Sequence, residues 1–351
     1  MTTELHGAWP FRGAAKTVLI AGIGAVLASV LDLPLPLLIG PLLICLVCAL
    51  GGMHLTGLPR TAATLRTVLG VAVGASITPA VLQQASDYAA SVVLVLVLTV
   101  LIAAAGVPWF RWHGFDRPTA FYAAMPGGLQ DMLLFGIEAG GNPRALSLAH
   151  ATRLAVVVAT LPFLLTGPLG VALDQPPGAP ATTFTFGQLG ILLACALGGW
   201  WLGKRLGMPG ATILGPLVLT AILSLAGVVD QRPPREAILA AQFVIGLSVG
   251  VHYVGITVRE LRQIVSAALG YCLLSAALTA GVVQVVLAHG LAPLPDALLG
   301  FSPGGQAEMT VLAIVAGAEL SYVVTLHLSR IVLVIVGAPV LHRWLHPERN
   351  N

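Results

Sequence analysis

The chain has 351 residues, of which 57% are hydrophobic and 9% are charged, whereas an ordinary soluble domain carries about 25% charged residues. The net charge of +3 is spread over connecting segments without a long basic run, so no nucleic-acid partner is expected. Apolar stretches such as residues 88–108 match the roughly 20 residues that cross a bilayer, so the composition predicts a multi-pass membrane protein surrounded by membrane lipid.

Twelve hydrophobic segments follow one another along the chain. The first six cover approximately residues 17–31, 36–53, 62–83, 88–109, 119–139 and 144–171, and the second six cover approximately residues 187–203, 211–228, 236–256, 263–288, 296–318 and 321–342. Between them lies "DQPPGAPATT" at residues 174–183, whose proline, glycine and threonine content is typical of an exposed linker. The pattern predicts an all-α polytopic membrane protein.

The second group of segments repeats the first. "LPLPLLIGPLL" at residues 33–43 matches "MPGATILGPLV" at 208–218, and "LGVAVGAS" at 69–76 matches "IGLSVGVH" at 245–252. At an offset of 177, ten of the 32 positions from Pro126 onward are identical. The sequence therefore predicts a first membrane repeat over residues 1–175 and a second over residues 176–351, within one integral membrane domain.

The positions of Lys and Arg indicate how often each repeat crosses the membrane, because cytoplasmic loops are enriched in these residues. If the fifth segment of each repeat enters and leaves on one side, the second repeat is inverted, and 13 loop cations lie in the cytoplasm against 2 outside. If all six segments cross, the division falls to 10 against 5. We therefore predict two inverted repeats of about five transmembrane helices with both termini cytoplasmic, and twelve crossings are the alternative.

Pro-Gly-Gly interrupts the fifth segment of both repeats, in "MPGGLQDM" from residue 125 and in "SPGGQAEM" from residue 302. Exposed backbone at membrane depth is tolerated only inside protein or beside a water-filled cavity. Broken segments at corresponding positions of inverted halves point to the binding site of a transporter. The substrate-binding residues predicted around the two breaks are Gly127, Gly128, Gln130, Ser302, Gly304, Gly305 and Gln306.

One acid follows each break, three positions past the second glycine: Asp131 in the first repeat and Glu308 in the second. Both are interpreted in two ways. Each is either a carboxylate favoured by the positive end of a half-helix, or a group that binds a coupling cation or carries a proton.

The sixth segments contain "HATR" at residues 150–153 and "HLSR" at 327–330, in which histidine and arginine share one helix face. An arginine near mid-membrane is costly unless it is paired. Arg153 and Arg330 are interpreted either as structural partners of the two acids or as substrate-binding groups that face the cavity. His150 and His327 are candidate proton relays, with hydrogen bonds to the backbone as the alternative.

No metal site, cofactor or catalytic residue is predicted. Cys45 and Cys48 form a C-x-x-C in apolar surroundings and are interpreted as small buried hydrophobic residues. His342 and His346 have a spacing compatible with a metal pair, but their place at the end of the last segment favours an interfacial belt. No phosphate-binding loop is present, so the sequence offers no basis for ATP-driven transport.

The duplicated unit, with its "LPxxLLGPL"-like and "PGG…(D/E)M" blocks, resembles the bacterial AbrB family of integral membrane proteins over nearly the whole chain. The resemblance implies the same duplicated membrane fold. Similar sequences also carry the labels ammonia monooxygenase and regulator of aidB expression. A copper monooxygenase needs converging histidines or carboxylates, and this chain has one isolated histidine in each sixth segment.

Together these patterns predict a secondary transporter in the bacterial cytoplasmic membrane. It would move a small polar or anionic solute, such as a carboxylate, coupled to H⁺ or Na⁺, with the site at the interface of the repeats. The alternatives are an ion or solute channel with the same paired segments and a metal-dependent membrane enzyme that uses His150 and His327. A homodimer is one option for the assembly.

Overall fold

The computed structural model describes residues 10–79, 85–208 and 210–345, and within these ranges the chain is helical without a strand. The first half contains α1 (Pro10–Val30), α2 (Pro36–Leu50), α3 (Pro59–Gly74), α4 (Ala89–Trp112), α5 (Arg117–Ala124), α6 (Leu129–Glu138) and α7 (Pro143–Thr166). The second half contains α8 (Phe186–Arg205), α9 (Ala211–Leu225), α10 (Arg235–Val251), α11 (Val258–Ala288), α12 (Leu294–Phe301), α13 (Gln306–Val315) and α14 (Leu320–Leu345). The predicted all-α class is confirmed.

Six of these helices are long and apolar enough to cross a membrane, namely α1, α4, α7, α8, α11 and α14. Helices α2 and α9 are also apolar, but each has 15 residues. At about 1.5 Å per residue they extend about 22 Å, less than the roughly 30 Å of a hydrocarbon core. The six long helices are consistent with a multi-pass membrane protein.

The helices of the second half recur in the order of the first. Helix α2 begins at residue 36 and α9 at 211, whereas α7 begins at 143 and α14 at 320. The corresponding helices thus begin at the offsets that align the sequence blocks. The domain boundary at residue 175 is not tested by this order and stays a prediction.

The helices pack into two bundles, and each bundle takes helices from both halves. The first bundle contains α1, α2, α3, α8, α9 and α10. The second bundle contains α4 to α7 and α11 to α14, and it therefore holds both Pro-Gly-Gly segments. Contacts within a bundle are far more extensive than those between the bundles, which run mainly between α3 or α10 and α7, α13 or α14.

Glycines in the "GPL" blocks let neighbouring helices of the first bundle approach closely. A Cβ on Gly40 of α2 would overlap the carbonyl oxygen of Gly24 in α1, and a Cβ on Gly215 of α9 would overlap that of Gly199 in α8. These blocks are therefore positions of close helix packing.

The same bundle contains a matching pair of contacts between the halves. Gly70 of α3 lies against the backbone of Ile213 in α9, and Gly246 of α10 lies against the backbone of Leu38 in α2. Because each half supplies one glycine-bearing helix and one partner, the two halves interlock at the centre of the first bundle.

Candidate functional site

Both predicted fifth segments are interrupted at Pro-Gly-Gly, as the sequence indicates. Helix α5 has 8 residues and α6 has 10, with Gly128 as the N-cap of α6; α12 and α13 have the same lengths, with Gly305 as the N-cap of α13. Met125 and Ser302 precede the prolines and are extended, with ψ of 126° and 135°. Proline has no N–H and disfavours helical geometry in the residue before it, and the two glycines that follow have low helix propensity, so the three residues together end the helix.

The two ends of each broken segment lie close together. The hydroxyl of Thr119, in α5, accepts a hydrogen bond of 2.7 Å from the backbone N–H of Asn142, just before α7. In the second half, Oδ1 of Asp296 in α12 accepts one of 3.2 Å from the N–H of Glu319, just before α14. In each half, the first short helix is thus hydrogen-bonded to the residue just before the long helix that follows the pair.

Each sixth-segment arginine binds the backbone of a break. Arg153 donates from Nη1 to the carbonyl of Met125 at 3.0 Å and from Nη2 to that of Gly127 at 2.7 Å. Arg330 donates likewise to Ser302 at 2.7 Å and Gly304 at 2.9 Å. A helix that stops inside a membrane leaves carbonyls without donors, and the planar guanidinium supplies two donors in a fixed fork.

The alternative in which these arginines pair with the two acids is not what the structure contains. The ion pair found among the described residues joins Arg144 to Glu260 at 2.9 Å. The guanidiniums of Arg153 and Arg330 face carbonyl groups instead, because those groups need donors wherever the helix is interrupted. Arg153 and Glu308 still interact electrostatically.

The sixth-segment histidines also bind backbone carbonyls. His150 Nε2 lies 3.1 Å from the carbonyl of Tyr122 and His327 Nε2 lies 2.9 Å from that of Leu299, and both imidazoles are almost fully buried. Nδ1 of His327 lies 3.0 Å from Nη2 of Arg330 and accepts its hydrogen bond when Nε2 carries the proton. Each His-Arg pair therefore ties its long helix to the broken segment packed beside it.

The two acids lie in the first turns of α6 and α13. Glu308 is 4% exposed, whereas Asp131 is partly exposed. Asp131 Oδ2 would lie 2.7 Å from a Cβ on Gly128, and the Glu308 carboxylate would overlap a Cβ on Gly305. Each carboxylate folds back over its N-cap glycine, next to the partly positive start of a helix.

A cavity of about 620 Å³ lies between the two bundles. The second bundle lines it with both breaks, both acids and Arg330. The first bundle lines it with the start of α3, the start of α9 and the end of α10. The cavity therefore brings together groups that are 177 residues apart in the sequence.

The predicted site residues fall into three groups. Those that line the cavity are Gly127, Gly128, Asp131, Gly304, Gly305, Gln306, Glu308 and Arg330. Arg153, His150, His327 and Ser302 are buried beside it and bind backbone groups of the broken segments. The side chain of Gln130, and the whole of His346, lie outside the described part of the chain. No three His, Cys, Asp or Glu side chains converge in the described ranges.

Sequence reasoning missed the contribution of the first bundle. Arg66 of α3 and His252, just after α10, both line the cavity. Nδ1 of His252 lies 2.6 Å from the carbonyl of Ser248. Arg66 lies near the start of the predicted segment at residues 62–83, and no pattern in the sequence distinguishes it from the cations of the loops.

Fold and site together define a helical, membrane-type protein in which two equivalent broken segments meet at one cavity. A family model described as "Transition state regulatory protein AbrB" matches residues 37–346, so the chain belongs to the AbrB family. An Escherichia coli (strain K12) protein named AbrB, and labelled as a regulator, is 34% identical over 326 residues, 89% of this chain and 90% of that protein. The Bacillus subtilis (strain 168) protein YhjN is 28% identical over 297 residues, 80% of this chain and 77% of YhjN.

Proposed function

We propose that the protein is a secondary transporter of a small polar or anionic solute, of the carboxylate class, in the bacterial cytoplasmic membrane. The observation that carries the proposal is that both Pro-Gly-Gly breaks line one cavity together with Asp131, Glu308 and Arg330. Backbone N–H and C=O groups that lie beside a cavity and are not paired within a helix can bind a polar solute at membrane depth. Lipid chains offer no such hydrogen bonds.

The proposal includes re-entry of both broken segments and inversion of the second repeat. The hydrogen bonds from Asn142 to Thr119 and from Glu319 to Asp296 support it, because they hold both ends of each segment at one level. Ends separated by a full crossing would lie about 30 Å apart. Five crossings in each repeat then place both termini in the cytoplasm, as the distribution of Lys and Arg favours.

The roles of the site residues follow from their contacts. Arg153 and Arg330 donate hydrogen bonds to the carbonyls that have no helical partner at the breaks. Arg330 also lines the cavity with its positive charge. Asp131 and Glu308, which make no hydrogen bond to another described group, bind the coupling H⁺ or Na⁺. The regulator label belongs to the Escherichia coli relative; in this chain, an effect on transcription would be indirect, through the transported solute.

The test is counterflow in proteoliposomes. Vesicles loaded with an unlabelled carboxylate (lactate, benzoate, succinate or glutamate) are diluted into the same compound at trace radiolabelled concentration. A transporter accumulates label transiently, and Asp131→Asn and Glu308→Gln each reduce the initial rate at least tenfold. Glu138→Gln, which changes an exposed acid at the end of α6, leaves the rate unchanged.

Two outcomes contradict the proposal. Flux that equilibrates label without transient accumulation indicates the channel alternative. No protein-dependent flux of the four compounds removes the carboxylate-transport proposal.

A further inference from the structure

Arg66 is a cation of the cavity that has no partner in the part of the chain that the structure describes. It lies in α3, its side chain is half-buried, and it lines the cavity from the first bundle. His252, which lines the same cavity, is a base and supplies no negative charge. A guanidinium has five N–H donors and no acceptor, so an anion is the natural ligand for the unused ones.

The other two arginines at this site are already engaged. Both terminal nitrogens of Arg153 and of Arg330 donate to carbonyls of the breaks. The terminal nitrogens of both arginines are thus committed to the breaks, and the remaining Nε–H of each is buried without a partner in the described residues. Arg66 is therefore the arginine of the cavity lining that makes no hydrogen bond or ion pair within the described residues.

The charge around the cavity is positive even when both acids are ionised. Two guanidiniums, those of Arg66 and Arg330, line the cavity, and a third, that of Arg153, is buried behind the first break. Two carboxylates, those of Asp131 and Glu308, line the same cavity. The first turns of α6 and α13 add partial positive charge, about half a unit at each helix start. The excess favours a ligand with negative charge, and one charge is enough to balance the extra guanidinium.

The walls of the cavity are largely apolar. Leu58, Pro59, Ala62, Leu154, Ile213 and Leu214 are among the lining residues. The volume of about 620 Å³ lies within the roughly 300–1,000 Å³ of pockets that hold ligands of drug size. A ligand with several carbon atoms fits these walls better than a small, fully hydrated ion.

We propose that the cavity binds an amphipathic organic monoanion, a carboxylate with an apolar body, and that the Arg66 fork binds its carboxylate. The inference rests on the proposed transport function and specifies its substrate class. Because Arg66 belongs to the first bundle and the breaks belong to the second, such a ligand bridges the two bundles.

The test is isothermal titration of the detergent-purified full chain with octanoate, benzoate and 3-phenylpropionate, beside benzyl alcohol and benzylamine as neutral and cationic controls. At least one monoanion binds wild type, and the two controls bind at least tenfold more weakly. Arg66→Gln raises Kd for that monoanion about 10- to 100-fold, as expected for loss of charge-assisted hydrogen bonds. Arg66→Lys has an intermediate Kd, because it keeps the charge without the fork.

Arg60→Gln is the matched control, since Arg60 is exposed in the first turn of the same helix and does not line the cavity. It leaves Kd unchanged. Equal affinity in Arg66→Gln and wild type, equal affinity for benzyl alcohol, or no binding of the three monoanions overturns the inference. If a monoanion binds in an Arg66-dependent manner and no counterflow is observed, the proposed ligand class is supported and the proposed transport function is contradicted. If counterflow is observed and Arg66→Gln does not change it, transport is supported and the role of Arg66 is contradicted.

Discussion

The two broken segments share a motif but present different surfaces to the cavity. In the second segment Glu308 is 4% exposed and the arginine that binds its break, Arg330, lines the cavity. In the first, Asp131 is partly exposed, and Arg153 is buried behind the break without reaching the lining. Each repeat therefore supplies one half-site, made of a break with its acid and its arginine. The two half-sites have the same order of helices, but their acids and arginines differ in exposure to the cavity.

The two halves also contribute unequally to the cavity from the first bundle. The start of α3 supplies Arg66 to the cavity, whereas the position that corresponds to it in α10 is Gln242, which is 1% exposed. The buried amide nitrogen of Gln242 has no hydrogen-bond partner in the described residues. The cavity is thus built around one end of the first bundle and is closed at the equivalent position.

The largest effect is expected from removing the arginines that bind the breaks. Arg153→Gln and Arg330→Gln each leave two buried carbonyls without donors and should lower the free energy of unfolding by about 4 kcal/mol. Lysine at either position should recover less than half of this loss, because one ammonium cannot reproduce the fork. Thermal unfolding in one detergent measures the ranking. An unchanged melting temperature in Arg330→Gln would show that the break does not depend on this contact.

Replacing His150 or His327 should lower the free energy of unfolding by less than replacing the arginines, and the two losses should differ. His327 bonds the carbonyl of Leu299 and also contacts Arg330, whereas Nδ1 of His150 has no partner in the described residues. His327→Leu should therefore cost about 3 kcal/mol and His150→Leu about 1.5 kcal/mol, by the loss of two hydrogen bonds against one. The same thermal assay compares them. Equal losses would mean that the contact with Arg330 adds nothing.

The smallest changes in the free energy of unfolding are expected from alanine at the break glycines Gly127 and Gly304. A Cβ on Gly127 would lie 2.9 Å from both Met132 and Val334, whereas the three atoms nearest to a Cβ on Gly304 all belong to the flexible side chain of Met309, the nearest at 2.8 Å. Gly127→Ala should cost about 2 kcal/mol and Gly304→Ala about 1 kcal/mol, because a β-branched valine adjusts less easily than methionine. A larger loss in Gly304→Ala would contradict this comparison.

The breaks themselves were predictable from sequence, because their cause is local. Pro126 and Pro303 each remove an N–H and disfavour helical geometry in the residue before them, and the two glycines that follow each proline weaken the helix further. Pro41 and Pro216, which lack the paired glycines, lie inside continuous helices. The recurrence of both blocks at one offset also predicted matching helices in the two halves. The sequence predicted neither the partners of Arg153 and Arg330 nor the cavity position of Arg66.

Those partners depend on contacts across long stretches of chain. Arg153 reaches carbonyls 26 and 28 residues earlier, which is possible only after α5, α6 and α7 have folded against one another. Arg66 reaches the cavity because two bundles meet there, and no local pattern encodes that meeting.

The sequence by itself determined a helical membrane protein of the AbrB family, its internal duplication and the points at which two helices stop. Hydropathy and the backbone preferences of proline and glycine are properties of neighbouring residues, so they can be predicted directly from the sequence. Only the tertiary structure decided that the arginines satisfy backbone carbonyls, that Glu308 is buried while Asp131 is not, and that Arg66 lines the cavity. The cost of an unpaired polar group depends on which neighbours packing brings to it, and those neighbours are distant in the sequence.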